Sequence, residues 1–191
     1  GFFIVGSGTV DYSGGGVTIT DEQKLAGGNT QINYTRDGNF KLDYQGNLVT
    51  SDGYRVMGYL LSDVSSENGK DTSSIATADK DPVKVGDCVY VDSDGVLKAS
   101  SNSLQPLRIP DSVFVPGDTN ANPPTADSWQ KISSFSIGKD GVITAILANS
   151  SKTALGQIAT ASFKNPEGLT ALGGNLYEVS SNSGTELIKT S

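Results

Sequence analysis

Histidine is absent from this 191-residue chain, and cysteine, methionine and tryptophan each occur once. Without histidine the chain lacks the usual general base and the commonest metal ligand, and it cannot form a Ser-His or Cys-His nucleophilic pair. The single Cys88 cannot form an internal disulfide, and its apolar strand context predicts a small, half-buried core residue. The sequence therefore predicts no catalytic residue, no metal site and no cofactor.

Clusters of basic residues and long apolar runs are also lacking. The chain has 14 Lys and Arg against 21 Asp and Glu, a formal net charge of -7, which disfavours nucleic acid and membrane as partners. No apolar run approaches the length that crosses a bilayer, and no signal-peptide pattern is found. The chain begins at Gly1 in an apolar run typical of the middle of a strand and without Met, so we expect a soluble fragment of a longer protein.

Glycine and turn-forming residues are abundant instead. The 23 glycines and the Ser, Thr, Asn and Asp between short apolar runs predict an all-β fold of short strands joined by turns. An Asp-Gly pair suits a tight hairpin turn because both residue types tolerate positive φ, and each such pair is predicted to reverse the chain. The pairs are Asp37-Gly38, Asp52-Gly53, Asp94-Gly95 and Asp140-Gly141.

Two polar stretches suggest a division of the chain. Residues 65–80 and 116–128 contain little that could be buried, whereas residues 83–97 are again strand-like. We therefore expect a discontinuous main β-domain formed by residues 1–63 and 105–191, with residues 64–104 inserted as a small β element or second outer domain. One short helix, of one or two turns, is predicted between residues 166 and 173.

Three blocks of sequence together resemble the flagellar axial proteins, the family that includes the hook and rod subunits. The first block is Gly1-Phe2-Phe3-Ile4-Val5, similar to the family's Gly-Asp-Gly-Phe-Phe segment with its first two residues missing. The second is Tyr34-Thr35-Arg36-Asp37-Gly38-Asn39-Phe40, and the third includes Phe163-Lys164-Asn165-Pro166-Glu167-Gly168-Leu169. The blocks follow the family's order and include both ends of the chain.

Within this family the sequence is more similar to the hook than to the rod. The segment Val56-Met57-Gly58-Tyr59 resembles the hook pattern, and Leu104-Gln105-Pro106 follows only after the inserted element, whereas the distal rod protein passes almost directly between the two. The resemblance implies a structural subunit of a curved, flexible tube that transmits motor torque to the filament. The distal rod protein is the alternative, followed by a β-rich carbohydrate-binding or adhesin module.

The resemblance also implies partners and a location. A hook subunit is extracellular, is exported by the flagellar secretion system without a cleaved signal peptide, and polymerises with itself. Its other partners are the rod, the hook-associated junction proteins and the hook cap during assembly. The helical segments through which full-length relatives pack into the inner tube are missing here, so we expect this fragment to be monomeric in solution.

Overall fold

The computed structural model describes residues 1–8, 17–20, 25–26, 30–64 and 73–189, and most of them lie in short β-strands or turns. This confirms the predicted all-β fold class. A single 3-10 turn, Pro166–Gly168, lies where the sequence predicted a short helix. Within these ranges no helix is long and apolar enough to cross a membrane. The strands are β1 Phe2–Gly8, β2 Val17–Ile19, β3 Leu25–Ala26, β4 Thr30–Thr35, β5 Lys41–Leu42, β6 Leu48–Val49, β7 Arg55–Tyr59, β8 Leu61–Asp63, β9 Leu97–Ala99, β10 Ser103–Pro106, β11 Ser112–Val115, β12 Ser128–Ile137, β13 Val142–Leu147, β14 Lys152–Ile158, β15 Thr160–Phe163, β16 Thr170–Gly173, β17 Leu176–Glu178 and β18 Glu186–Lys189.

Sixteen of these strands belong to one sheet, and β1 lies near its centre. The main strand order is β11-β12-β13-β14-β7-β1-β4-β17-β16, while β8 and β9 form a separate pair. Residues Phe3–Gly8 of β1 pair antiparallel with Thr30–Thr35 of β4. Phe2 lies opposite Ala161 of β15, which pairs in turn with β18. The first and third blocks of the family resemblance therefore lie together.

Each face of β1 packs into a different hydrophobic cluster, because successive strand residues point to opposite faces. Phe2 and Ile4 belong to one cluster, in which the ring of Phe163 contacts Phe2 edge-on at 5.5 Å. Val5 belongs to the other cluster, together with Leu107. β1 consequently lies buried between the two hydrophobic clusters.

Two glycines make room for Leu107 in the second cluster. A Cβ atom at Gly58 would lie 2.2 Å from the carbonyl oxygen of Gln157 and 2.6 Å from Cδ1 of Leu107. A Cβ atom at Gly156 would lie 2.6 Å from Cδ2 of the same leucine. Leu107 itself is fully buried. The glycine of the Val56-Met57-Gly58-Tyr59 segment is therefore required by close packing between β7 and β14.

Four hairpin loops share one hydrogen-bond pattern. In each loop the amide of the first residue donates to the carbonyl of the fifth, and the amide of the fourth donates to the carbonyl of the first. The fourth residue has a positive φ in every case, as in a type I turn followed by a left-handed residue. The loops are Asp43–Asn47, Thr50–Tyr54, Gly138–Val142 and Leu147–Ser151, with Gly46, Gly53, Gly141 and Ser150 in fourth place.

The predicted Asp-Gly hairpins are confirmed at Asp52-Gly53 and Asp140-Gly141, which lie in two of these loops. Asp94-Gly95 lies in a turn in which the Gly95 amide donates to the Asp92 carbonyl at 3.4 Å. That turn does not join two strands that pair with each other, because Asp92 bridges to Thr153 and β9 pairs with β8.

The prediction of a hairpin at Asp37-Gly38 is wrong. β4 pairs with β1 and β17, whereas β5 pairs with β6, so the chain between β4 and β5 does not join paired strands. The Thr35 hydroxyl accepts a hydrogen bond from the Asp37 amide, and the Asp37 carboxylate accepts one from the Asn39 amide. A Cβ atom at Gly38 would lie 3.4 Å from the ring of Phe3. The pair guides the chain past Phe3 without reversing it.

Part of the segment 64–104 packs against the rest of the protein. Ile75 and Cys88 form an isolated β-bridge, and both side chains belong to the same hydrophobic cluster as Val5. Residues 65–72 lie outside the described ranges. Cys88 is a core residue, as predicted, although it is fully buried rather than half-buried. The division into residues 1–63 with 105–191 and an inserted element stays a prediction.

Candidate functional site

The second half of β12 is a free strand edge. β11 pairs with residues 128–131, and a β-bulge follows between Ile132 and Ser134. From Ser134 to Ile137, β12 pairs with β13 and with no other strand in the described ranges. Alternate amide and carbonyl groups of this segment therefore point away from the sheet, which is the arrangement that accepts an additional strand.

Apolar side chains line this free edge. Phe135 and Ile137 are 44% and 42% exposed. They lie opposite Ala145 and Ile143, which are fully buried on the core side of β13. Since directly paired residues share a face of the sheet, Phe135 and Ile137 extend the core face beyond the part that the protein covers.

A groove runs beside the edge, next to the β12–β13 hairpin. Its volume is about 640 Å³, and its apolar walls are formed by Phe3, Phe40, Ile137 and Ile158. The rings of Phe3 and Phe40 meet edge-on at 5.0 Å, which fixes one wall. Lys139, Lys189 and Asp140 also line the groove. The protein thus presents apolar surface together with two lysines and one aspartate at this end of the sheet.

β16 is the free edge at the opposite end of the main strand order. It pairs with β17, and the structure describes no second strand beside it. All four residues are exposed, and Leu172 is 48% exposed. Acidic residues lie next to this edge: Glu178 is opposite Thr170, and Glu167 lies in the preceding 3-10 turn.

The Asp43–Asn47 hairpin presents Tyr44, which is 95% exposed, beside a smaller pocket of about 420 Å³. Burial alone would raise the pKa of the Asp43 carboxyl, but hydrogen bonds from Asn47 and Gln45 outweigh it and hold that pKa below its usual value of 3.8. Arg108 lines the pocket and donates to the Gly86 carbonyl at 3.0 Å. Hydrogen bonds to the Asp43 carboxylate thus hold this loop, which exposes the Tyr44 side chain to solvent.

Chemical groups suited to catalysis are sparse in the part of the chain that the structure describes. Burial raises the pKa of the Cys88 thiol to about 12, so the thiol stays protonated at neutral pH. No group of three or more Cys, Asp or Glu side chains among the described residues could hold a metal ion.

Trp129 is 43% exposed, and its ring packs edge-on against the Phe114 ring at a centroid distance of 5.4 Å.

Sequence reasoning named no site residues, and it missed both free edges. The alternation of Phe135 and Ile137 with serines is typical of a half-buried strand with two neighbours. The length of the neighbouring strand decides whether the edge is covered, and β11 has four residues against the ten of β12. No signal within β12 itself indicates this difference.

Comparison with known proteins gives a family model and several relatives. The model for the flagellar hook protein FlgE/F/G D1 domain matches residues 24–145. The flagellar basal-body rod protein FlgG of Bacillus subtilis is 30% identical over 152 residues, which cover 80% of this chain and 34% of that protein. The flagellar hook protein FlgE of two Helicobacter pylori strains is 47% identical over 49 residues, which cover 26% of this chain and 7% of those proteins. The chain therefore spans about a third of the rod relative's length and a small part of the hook relatives' length.

Proposed function

This chain belongs to the flagellar hook and rod protein family, and we propose that it is a structural subunit of the bacterial flagellar hook. In this proposal many copies assemble into a curved, flexible tube that passes motor torque to the filament. The family resemblance predicted from three sequence blocks is confirmed, since the family model matches residues 24–145. That match is the observation that carries the proposal.

The architecture supports a mechanical role. A subunit of a torque-bearing joint needs a stiff body, because a domain that deforms would absorb the torque instead of transmitting it. β1 is paired along its length and buried on both faces, and β7 and β14 pack closely around Leu107 at Gly58 and Gly156. Close-packed interiors of this kind have low compressibility and transmit strain.

Hook rather than rod is the finer part of the proposal. The inserted element at 64–104 and the segment Val56-Met57-Gly58-Tyr59 favour the hook. The rod is the second candidate, because the rod relative matches 152 residues of this chain whereas each hook relative matches 49. In either case the main β-domain of residues 1–63 and 105–191 is proposed to carry 64–104 as an insertion.

We further propose that the protein performs no catalysis. Its work consists of contacts with copies of itself, with the rod, with the hook-associated junction proteins and with the hook cap during assembly. It is proposed to reach the outside of the cell through the flagellar secretion system, without a cleaved signal peptide. The free edges of β12 and β16 supply surface suited to such contacts.

Deletion of the gene in its own bacterium, followed by cryo-electron tomography of the flagellar bases, tests this proposal. A hook subunit predicts cells that assemble a rod but no hook, and a plasmid copy of the gene should restore hooks and swimming. Loss of the distal rod itself would favour the second candidate. Complete flagella in the deletion strain would contradict both.

A further inference from the structure

We propose that the free edge of β12 in one copy pairs with the free edge of β16 in the next copy. The occupant of the apolar edge and groove at Ser134–Ile137 is thus a second copy of this chain, bound through Thr170–Gly173. This inference deepens the proposed function and rests on it, because it names the surfaces through which subunits meet.

The position of the two edges supports a head-to-tail contact. β16 ends the main strand order, and the free segment of β12 lies next to β11, the strand at the other end, so one copy offers the two halves of the contact on different strands. When two different surfaces make the contact, a row of subunits has one unused surface at each end and can add further subunits. The row becomes a helix when the rotation between neighbouring subunits does not close a ring. Pairing of β12 with a second β12 would instead form a closed dimer.

Other strands with a single neighbour in the described ranges are shorter or less open: β3 and β5 have two residues each, and β18 lies near the chain terminus. β18 pairs with β15, and its Glu186 carboxylate accepts a hydrogen bond from the Leu25 amide of β3 at 3.0 Å. Glu186 is buried in this arrangement. β16, by comparison, has four exposed residues and the exposed Leu172. We therefore assign β16 as the partner of β12.

The charges around the two edges are complementary, although the whole chain is acidic. Three exposed lysines lie near the β12 edge: Lys131 is opposite Ser112, the first residue of β11, Lys139 is in the hairpin loop, and Lys152 is opposite Ile146. Two exposed aspartates, Asp111 and Asp140, lie beside them, so this edge has a small excess of positive charge. The β16 edge is bordered by Glu167 and Glu178, both exposed. Charge complementarity of this kind orients the encounter and disfavours pairing of like edges.

The expected contact is small and weak. The four residues of each edge would pair, and main-chain hydrogen bonds would supply affinity while Phe135, Ile137 and Leu172 supply apolar contact. Interfaces of this extent belong to the weak, transient class. Such a contact agrees with an isolated fragment that stays monomeric until copies are concentrated, as they are within a tube.

Cysteine cross-linking between two variants tests the pairing. Ser136→Cys lies on β12 and Ala171→Cys lies on β16, both exposed, while the native Cys88 is buried. The two variants of this chain are mixed at millimolar concentration and treated with a short bismaleimide. We expect mixed pairs to exceed like-with-like pairs of either variant. Asn120→Cys, in an exposed loop, measures the background from random encounters.

Two results would overturn the interface: mixed pairs no more abundant than the Asn120→Cys background, or Ser136→Cys chains that link mainly to each other.

A charge variant tests the electrostatic part of the proposal. Lys139→Glu on the β12 partner should lower the mixed yield by up to about fivefold, the effect of one exposed ion pair. Glu178→Lys on the other partner should recover part of it, and an unchanged yield in both would contradict the role given to charge.

Electron microscopy of the full-length gene product separates this inference from the proposed function. Tubes that form although the cross-link is absent would overturn the edge pairing and leave the function standing. A specific cross-link without tubes would support the pairing and count against the function.

Discussion

The centre of β1 and the end of β12 each contain an isoleucine, but the two isoleucines have opposite surroundings. Ile4 in β1 is fully buried, whereas Ile137 in β12 is 42% exposed. β1 has β4 on one side and β7 and β15 on the other, while the end of β12 has β13 on one side in the described structure. The same apolar residue therefore stabilises the fold at one place and is available for contact with another molecule at the other.

Truncation of one isoleucine in each region is the strongest test of this comparison. Ile4→Ala should reduce the free energy of unfolding by about 2–5 kcal/mol, because it removes buried methyl groups and leaves a cavity. Ile137→Ala should cost less than about 1 kcal/mol, since its side chain is already partly in water. Chemical denaturation of both variants measures the difference. Equal losses would show that β12 is as deeply buried as β1 and would remove the basis for a free edge.

Gly58→Ala tests whether close packing makes the centre rigid. The new methyl group would meet the Gln157 carbonyl, a backbone atom that cannot move without shifting β14, so we expect a loss of about 1–3 kcal/mol. Gly38→Ala is the matched control, because its methyl group would be in ordinary contact with the Phe3 ring. Thermal unfolding should show a change within about 0.5 kcal/mol for the control. A large loss of unfolding free energy in Gly38→Ala would favour a tight hairpin turn at Asp37-Gly38, which the strand pairing contradicts.

The hairpin loops at the two ends of β13 have different residues in fourth place, Gly141 and Ser150, so opposite substitutions can be made in them. Ser150 has a φ of 70°, where Gly46, Gly53 and Gly141 fill the same place in the other three loops. Ser150→Gly should stabilise the protein by up to about 1 kcal/mol, because a left-handed conformation costs a residue with a Cβ atom on that order. Gly141→Ser should destabilise it by a similar amount, and differential scanning calorimetry measures both. Shifts of the same sign would contradict the shared loop pattern.

The smallest expected effect concerns acid stability at the Asp43 hairpin. The pKa of Asp43 is lower in the folded protein than its ordinary value of 3.8. Its contribution is therefore present above about pH 4 and is lost as the pH falls through the folded-state pKa. Asp43→Asn should lower the melting temperature slightly at pH 7 and make it less sensitive to pH below 4. Parallel melting curves of both proteins between pH 2 and pH 7 would argue against the hydrogen bonds assigned to this carboxylate.

The sequence predicted the fold class well because local composition decides it. Glycine-rich turns and short apolar runs indicate β-structure, and two of the four Asp-Gly pairs, at Gly53 and Gly141, close hairpins as predicted. Ser150 adopts the same loop without a glycine, so residue preference alone did not reveal that hairpin. Asp37-Gly38 failed for a related reason, since the strand that precedes it pairs with β1 and β17 rather than with the strand that follows.

The candidate site could not be predicted because it depends on distant strand lengths. Phe135 and Ile137 are exposed since β11 ends its pairing at Lys131, a fact set by residues outside β12. The complementary edge at Thr170–Gly173 is defined by its place at the far end of the strand order. Neither property leaves a local pattern in the sequence.

Electron microscopy of the purified full-length gene product under assembly conditions is the most direct test of the central claim, that this domain is a building block of a flagellar axial tube. We expect helical tubes in which this β-domain repeats as a stiff body around the axis. Particles that remain single, or closed rings of fixed size, at concentrations where flagellar subunits polymerise would contradict it.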